Sequence, residues 1–283
     1  MTFTMQQLTE EDIPELVQLL REVGWDYDGA EMKAVLAAGV VYGHKTPEGG
    51  VVSSAAVIPY GKAAAALGLV IVRKSCRRQG LAKEAVKACL NTIPVNAGVL
   101  LFATKEGKPL YQQLGFEEAG KVYKYVAPGQ VVKKTSIVRP SSIRTYEAHD
   151  WNSLQQLDLG AFGQDRSAFL RHRITQAHQA LILLDDQNHP AGFGLSIWHE
   201  GQLLLGPIAA PNEKAAAELL EQLIESHPVK VRIDLTEENR IMTETLRQCG
   251  FEKQSEPLMM ARAPSIIEPR NGNLYAIASQ IFG

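Results

Sequence analysis

The fold is decided by the stretch LGLVIVRKSCRRQGLAKEAVKACL, which occupies residues 67–90. Its first six residues, 67–72, form a short continuous apolar run, and such a run predicts a buried strand. A polar segment follows at 73–80, and apolar residues then recur at helical spacing from Leu81 to about Thr92. The sequence therefore predicts a strand that turns directly into a helix through a basic loop.

The composition of this loop indicates a binding site for phosphate groups. Gly80 and Ala82 remove side-chain bulk at the start of the helix, so backbone N–H groups can approach a ligand closely. The first N–H groups of a helix have no intrahelical acceptor, and the positive end of the helix dipole lies beside them. Four basic residues add positive charge: Arg73, Lys74, Arg77 and Arg78. The pattern predicts a cradle for a pyrophosphate; the alternative is a solvated basic turn.

The chain length and the order of predicted elements indicate a tandem architecture. The 283 residues exceed the usual size of one domain. Both halves are predicted to run strand, two helices, hairpin, strand, helix, strand, helix, strand, and Gly115-Phe116 recurs as Gly250-Phe251. We predict two domains, 1–128 and 141–283, joined by a linker at 129–140.

Composition excludes several classes of protein. The net charge of -2 argues against a general nucleic-acid binder, and the mean hydropathy of -0.10 with no long apolar run argues against a membrane-spanning protein. Three scattered cysteines lack metal-ligand spacing: Cys76, Cys89 and Cys249. We therefore expect a cytoplasmic protein, monomeric or homodimeric, with reduced thiols, no metal, and neither nucleic acid nor membrane as partner.

Two motifs in the first half resemble a known family. RRQGLA at 77–82, after a strand, and LYQQLGF at 110–116 look like motifs A and B of the GNAT superfamily of N-acetyltransferases, which bind acetyl-CoA. FGQDR at 162–166 further resembles a bacterial subgroup of tandem GNAT proteins. The resemblance implies a mixed α/β fold of two GNAT-like domains, each with a mainly antiparallel central sheet flanked by helices, and acetyl-CoA as co-substrate.

The resemblance also implies roles for individual residues. The backbone that holds the CoA pyrophosphate maps to Arg77, Arg78, Gln79, Gly80, Leu81 and Ala82. The strand that contacts the pantetheine arm and thioester maps to Leu69, Val70, Ile71 and Val72, and the tyrosine that protonates the departing thiolate maps to Tyr111. The chain departs from the family in having Lys74 where proline is common, and in having no glutamate within 67–72, the commonest position of the general base.

The reaction itself requires three groups. The thioester oxygen needs a hydrogen-bond donor, for which the backbone N–H of Val70 or Val72 is suited, and the thiolate leaves better when protonated. Tyr111 is the proposed donor, with a packed aromatic as the alternative. The base that deprotonates the amine is a water relay or a carboxylate such as Asp26 or Asp28.

The segment GWDYD at 24–28 carries features suited to an amine acceptor. Its carboxylates pair with an ammonium group, and the aromatic face of Trp25 attracts cations. Tyr60 is a further candidate at the rim of this site. The alternative is an ordinary acidic loop anchored by Trp25 in the core.

The second half is expected to be degenerate. At the position of RRQGLA it reads LGPIAAPN, 205–212, which lacks the arginines and the paired small residues, so no acetyl-CoA site of its own is expected. Three residues are candidates for lining an acceptor cleft: Asp165, Arg166 and Asp234. Asp165 is equally suited to cap the next helix, and Asp234 to be a paired structural carboxylate.

These observations predict an acetyl-CoA-dependent N-acetyltransferase that acts on a primary amine of a small molecule. Two alternatives stay open: a non-catalytic CoA-binding sensor or interaction protein, and a protein N-acetyltransferase.

Overall fold

The structure, a computed structural model, describes residues 2–129, 142–199, 201–224, 229–263 and 271–283. These residues form two compact units. The predicted linker, apart from Gly129, lies outside the described residues.

The first unit contains the elements of the first half of the chain up to residue 119, with short segments from the end of the chain. Its helices are α1 (Ile13–Val23), α2 (Gly29–Ala38), α3 (Leu81–Leu90) and α4 (Lys108–Gln113). Its strands are β1 (Thr4–Leu8), β2 (Val40–Lys45), β3 (Val51–Tyr60), β4 (Ala64–Val72), β5 (Gly98–Ala103), β6 (Glu117–Lys121), which continues past residue 119, and the end of β14 (Leu258–Arg262).

The strands of the first unit form one mixed sheet in the order β1-β2-β3-β4-β5-β14-β6. Strands β1 to β4 pair antiparallel, whereas β4 and β5 pair parallel. Helix α3 packs on β2, β3 and β4, and α1 and α2 also pack on this sheet. Because a parallel pair needs a crossover connection, α3 joins β4 to β5. The carboxyl ends of these two strands therefore share one edge of the sheet.

The second unit repeats this arrangement. Its helices are α5 (Trp151–Phe162), α6 (Ser167–Gln176), α7 (Glu213–Leu223) and α8 (Arg240–Gln248). Its strands are β7 (Tyr123–Ala127), β8 (Ile143–Thr145), β9 (Ala177–Leu184), β10 (Pro190–His199), β11 (Gln202–Ala209), β12 (Lys230–Leu235), β13 (Glu252–Ser255) and β15 (Leu274–Ala276), in the sheet order β13-β7-β12-β15-β11-β10-β9-β8.

The two units are discontinuous in sequence, which the division at 128 and 141 does not anticipate. β7, from the first half of the chain, is a strand of the second sheet, where its residues pair antiparallel with β12 from Tyr123–Leu235 to Ala127–Val231. β14, from the second half, is a strand of the first sheet. The physical reason is hydrogen bonding: each strand belongs to the sheet that satisfies its backbone groups, whichever half of the sequence supplies it.

Two further observations concern the described residues alone. None of their helices is long and apolar enough to cross a membrane. Among the same residues, no group of three or more His, Cys, Asp or Glu side chains is arranged to hold a metal ion.

Candidate functional site

Strands β4 and β5 separate after a short parallel contact. Their register pairs Ala64, Ala65 and Ala66 with residues 98–100, and in the described structure it extends no further. Among the described residues, no strand pairs with the remainder of β4, 67–72, on its edge toward β5, although the backbone of Ile281 approaches this segment at Gly68. Four predicted cofactor-binding residues lie in this part of the strand: Leu69, Val70, Ile71 and Val72.

A bulge interrupts β4 within this open part. Ser54 is in register with Ile71 and Ala56 with Gly68, so two residues of β4, Leu69 and Val70, lie opposite one residue of β3. Leu69 adopts a φ of 54°, a left-handed conformation that is costly for a residue with a Cβ.

A buried hydroxyl supports the bulge. Ser54 Oγ donates a hydrogen bond of 2.7 Å to the carbonyl of Leu69, and both side chains are essentially inaccessible to solvent. This contact offsets part of the cost of the left-handed conformation, because a buried carbonyl without a partner would be unfavourable.

The loop after β4 exposes the start of α3. Arg77, Arg78, Gln79 and Gly80 are all exposed, with φ values of 64° at Arg78 and 84° at Gly80. The N-cap residue of α3 is Gly80, which has no side chain that could cap the first turn. The orphan N–H groups and the positive end of the helix dipole therefore face outward, as an anion site requires.

The surroundings of Gly80 show that the loop leaves room for a ligand. A Cβ at this position would come no closer than 3.9 Å to another group, the Glu84 carboxylate. Leu81 is buried and anchors the helix, while Ala82 is partly buried. Arg77 Nε donates to the carbonyl of Val72 at 3.3 Å, which ties the loop to the end of β4. The residues fit a pyrophosphate bound by backbone groups.

Tyr111 lies on α4, which follows β5. The ring is 6% exposed and packs edge-to-face against Phe116, with ring centroids 6.0 Å apart. Burial raises the pKa of the Tyr111 phenol above its ordinary value of about 10. The phenol therefore stays protonated at physiological pH, which a proton donor requires. Because α4 follows β5 and α3 follows β4, both helices begin at the same edge of the sheet.

The segment between α1 and α2 separates its two carboxylates. Asp26 is exposed, whereas Asp28 is buried at the N-cap of α2, where its side chain accepts a hydrogen bond of 2.8 Å from the N–H of Glu31. Trp25 is partly buried and packs edge-to-face on Tyr27, with ring centroids 6.2 Å apart. Asp28 thus has a structural function, and Asp26 is the more accessible of the two candidate bases.

Tyr60 is buried rather than exposed at a rim. Its side chain is 2% exposed, and its hydroxyl donates to the carbonyl of Phe282. The backbone of Ile281 also passes close to β4: it would lie 3.1 Å from a Cβ placed on Gly68. In the first unit, Tyr60 therefore holds the end of the chain against the sheet.

The second unit fills the position of the β4–β5 opening with its own chain. β11 and β12 pair parallel over 202–205 and 230–233, and β15 lies between them farther along. β15 pairs antiparallel with both neighbours, and hydrogen bonds extend this pairing from the N–H groups of Ala210, Thr236 and Ile277. The gap is thereby occupied.

The start of α7 also differs from that of α3. The side chain of Asn212 caps α7 by accepting from the N–H of Ala215 at 3.0 Å. Gly206, with a φ of 140°, lies so close to the residue after β15 that a Cβ would be 2.2 Å from the carbonyl oxygen of Ile277. At the position equivalent to the end of β4, the described residues of the second unit thus leave neither an open strand edge nor an uncapped helix start.

The charged candidates of the second unit are engaged with partners of their own unit. Arg166 forms a bidentate pair with Asp158 at 2.8 Å, and both side chains are buried. The guanidinium also stacks on the ring of Phe162, with its central carbon 3.8 Å from the ring centroid. This arrangement is that of a structural ion pair.

The other two candidates differ in burial, since Asp165 is exposed and Asp234 is buried. Asp165 accepts a hydrogen bond of 2.9 Å from the N–H of Ser167, at the start of α6. Asp234 is fully buried, accepts from Arg232 at 2.6 Å, and accepts from Gln280 at 3.2 Å. Both observations agree with the structural alternatives stated for these residues.

Two features of the sites were missed at the level of sequence. Ser54 belongs to a pair of serines in an otherwise apolar strand, and a buried hydroxyl signals a hydrogen-bond partner. Gly206 within an apolar strand signals a close backbone approach, which Ile277, the residue after β15, supplies. Neither signal identifies the partner segment.

Comparisons with known proteins agree with this architecture. Matches described as "Acetyltransferase (GNAT) domain" cover residues 38–118 and, separately, 154–276. A relative named "Uncharacterized N-acetyltransferase YitH" from Bacillus subtilis is 34% identical over 98% of this chain and 97% of its own length.

Solved structures share the fold. A crystal structure from Pyrococcus horikoshii superimposes with a TM-score of 0.80 at 19% identity, covering 99% of this chain and 96% of the other. A tandem GNAT protein from the clavulanic acid biosynthesis pathway gives a TM-score of 0.62 at 13% identity, covering 92% and 98%. With its two GNAT domains and its close relative, the chain belongs to the GNAT family of acetyltransferases and is a tandem GNAT N-acetyltransferase.

Proposed function

We propose that this enzyme transfers the acetyl group of acetyl-CoA to a primary amine of a small molecule, by direct attack of the amine on the thioester. The chemistry is assigned to the first unit. The observation that carries this proposal is the open edge of β4, which leads directly into the exposed, uncapped start of α3.

The residues of the first unit suit acetyl-CoA as co-substrate. The loop 77–82 would hold the pyrophosphate through backbone N–H groups, and 69–72 would contact the pantetheine arm. When bound, acetyl-CoA supplies the activated acetyl group. In the same proposal the second unit is a degenerate copy, because β15 and Asn212 occupy the equivalent positions. We place the enzyme in the cytoplasm, in keeping with its three free cysteines.

The chain's own groups then account for the transfer. A backbone N–H of β4 donates to the thioester oxygen, where negative charge develops. Tyr111 donates its phenolic proton to the departing sulfur, and its raised pKa keeps that proton in place beforehand. The amine loses a proton to water or to Asp26, the exposed carboxylate of the α1–α2 segment.

The acceptor is proposed to be cationic before it reacts. Asp26 carries a negative charge beside the aromatic pair of Trp25 and Tyr27, and such a combination attracts an ammonium group. Asp26→Asn is expected to raise KM for the amine by about threefold to tenfold, with the affinity for acetyl-CoA unchanged. Glu48→Gln, which removes an exposed carboxylate in the β2–β3 turn, is the matched control.

The deciding experiment is an acceptor screen. Purified enzyme is incubated with acetyl-CoA and polyamines, amino acids, aminoglycosides or peptides, and CoA release and the acetylated product are measured. Stimulation by one class of small amine supports the proposal. Binding of acetyl-CoA without stimulation by any amine would favour a sensor, and stimulation by peptides alone would favour a protein N-acetyltransferase.

The number of binding sites is a separate measurement. Calorimetric titration with CoA is expected to give one site per chain, since in the described residues of the second unit β15 fills the gap that stays open between β4 and β5. Two equivalent sites would contradict the assignment of the second unit as degenerate.

A further inference from the structure

The orientation of one peptide group in β4 follows from the contact with Ser54. The carbonyl of Leu69 accepts a hydrogen bond from Ser54 Oγ at 2.7 Å, so this carbonyl points toward β3. In a trans peptide the carbonyl of one residue and the N–H of the next point in opposite directions. The N–H of Val70 therefore points away from Ser54.

The sheet order shows what lies on that side. β3 and β5 flank β4 on opposite edges, and the parallel pairing of β4 with β5 ends at Ala66. Val70 is also outside the register with β3, because the bulge covers Leu69 and Val70. Val70 is partly exposed, whereas Leu69 and Ile71 are buried. The N–H of Val70 is thus directed toward the open edge of the strand.

The other candidate donor, Val72, is placed differently. It is in register with Ser53 of β3, and its carbonyl is engaged by Arg77. Of the two residues, Val70 is therefore the one that is not in register with a residue of β3.

We propose that Ser54 is a positioning residue, whose hydroxyl orients the Leu69–Val70 peptide so that the Val70 N–H donates to the thioester oxygen of acetyl-CoA. The inference rests on the proposed function, since it concerns the same groove. Without the hydroxyl, the Leu69 carbonyl loses its partner and the left-handed conformation of Leu69 loses a restraint, so the N–H is no longer held in one direction.

The test uses the vibrational frequency of the bound carbonyl. Acetyl-CoA labelled with ¹³C at the carbonyl is bound to wild type, Ser54→Ala and Ser54→Thr, and isotope-edited infrared spectra are recorded at saturation. We expect a lowered carbonyl frequency in wild type, a frequency close to that of free acetyl-CoA in Ser54→Ala, and recovery in Ser54→Thr. The kcat of Ser54→Ala is expected to fall about tenfold to a hundredfold with Kd for acetyl-CoA little changed, which is less than the loss of a whole oxyanion donor.

Ser53→Ala is the matched control for the loss of a buried hydroxyl. Ser53 is the preceding residue on β3, is equally buried, and its hydroxyl contacts His44 Nδ1 at 2.8 Å rather than β4. The carbonyl frequency of acetyl-CoA bound to Ser53→Ala is expected to equal that of acetyl-CoA bound to wild type. A wild-type spectrum in Ser54→Ala at unchanged affinity would overturn the inference.

A second measurement is made on wild type, so it does not require that a variant bind acetyl-CoA with full affinity. Wild type labelled with ¹⁵N-valine is titrated with CoA and with acetyl-CoA, and the Val70 resonance is identified by its absence in Val70→Ile. The Val70 amide is expected to shift downfield with acetyl-CoA but not with CoA; equal shifts with both would refute the role of Val70. Because both measurements need only binding, they separate a failure of this inference from a failure to find an amine acceptor.

Discussion

The two units place the same elements around two different gaps. In the first unit, β4 and β5 separate after three paired residues, and the gap leads to an uncapped α3. In the second unit, β15 fills the equivalent gap between β11 and β12, and Asn212 caps α7. Where the two parallel strands separate, their backbone N–H and C=O groups lose their partners in the sheet. In each unit these groups need other hydrogen-bond partners, either from a ligand or from another strand of the chain.

The two units also differ in the surroundings of their charged residues. In the first unit Arg77 and Arg78 are exposed, whereas in the second unit Arg166 and Asp234 are buried in ion pairs. Exposed charges are available to a ligand. Buried pairs stabilise one conformation of the unit, and removal of one partner leaves the other charge without compensation.

The largest effect is expected from breaking such a pair. Arg166→Ala leaves the Asp158 carboxylate buried without its bidentate partner, and we expect a loss of about 3–5 kcal/mol in the free energy of unfolding. Denaturant unfolding followed by circular dichroism measures this. A variant of unchanged stability with a raised KM for the acceptor would instead make Arg166 a substrate-binding residue.

The next effect concerns the phosphate loop. Gly80→Glu introduces a side chain and a negative charge at the exposed start of α3, and we expect at least about a hundredfold weaker binding of acetyl-CoA, or roughly 2.7 kcal/mol. Gly250→Glu is the matched control, because Gly250 has nearly the same φ, 83° against 84°, and a Cβ there would meet nothing within 4 Å. Equal losses in both variants would refute a single site in the first unit.

A smaller effect is expected at the proposed proton donor. Tyr111→Phe removes the hydroxyl but keeps the packing against Phe116, so kcat should fall about tenfold to a hundredfold with Kd for acetyl-CoA unchanged. Because burial raises the pKa of the phenol, deprotonation of Tyr111 should not lower the wild-type rate until the pH exceeds about 10. An unchanged kcat in Tyr111→Phe would make the residue a packed aromatic.

The smallest effect tests the cap of the second unit. Asn212→Ala removes the acceptor for the Ala215 N–H, and we expect a loss of about 1 kcal/mol in the free energy of unfolding. The affinity for acetyl-CoA should stay that of wild type, since β15 still fills the gap in this unit. Appearance of a second CoA site in a calorimetric titration would show that the cap, rather than β15, excludes the ligand.

Local patterns predicted the helices and most strands because their apolar residues follow the period of each element. They did not predict β6 and β13, whose residues are all exposed and carry no apolar alternation. These segments are strands because β6 pairs with β14 and β13 pairs with β7, and each partner is distant in sequence.

The sequence by itself determined that the chain holds two similar units and that only the first carries a basic, glycine-containing loop before its helix. Residue types in a short segment suffice for that, since they control charge, bulk and helix initiation. Tertiary structure alone decided the exchange of β7 and β14, the bulge beside Ser54 and the placement of β15. Each of these depends on which backbone groups remain unpaired after the sheets assemble, and segments far apart in the chain supply the partners.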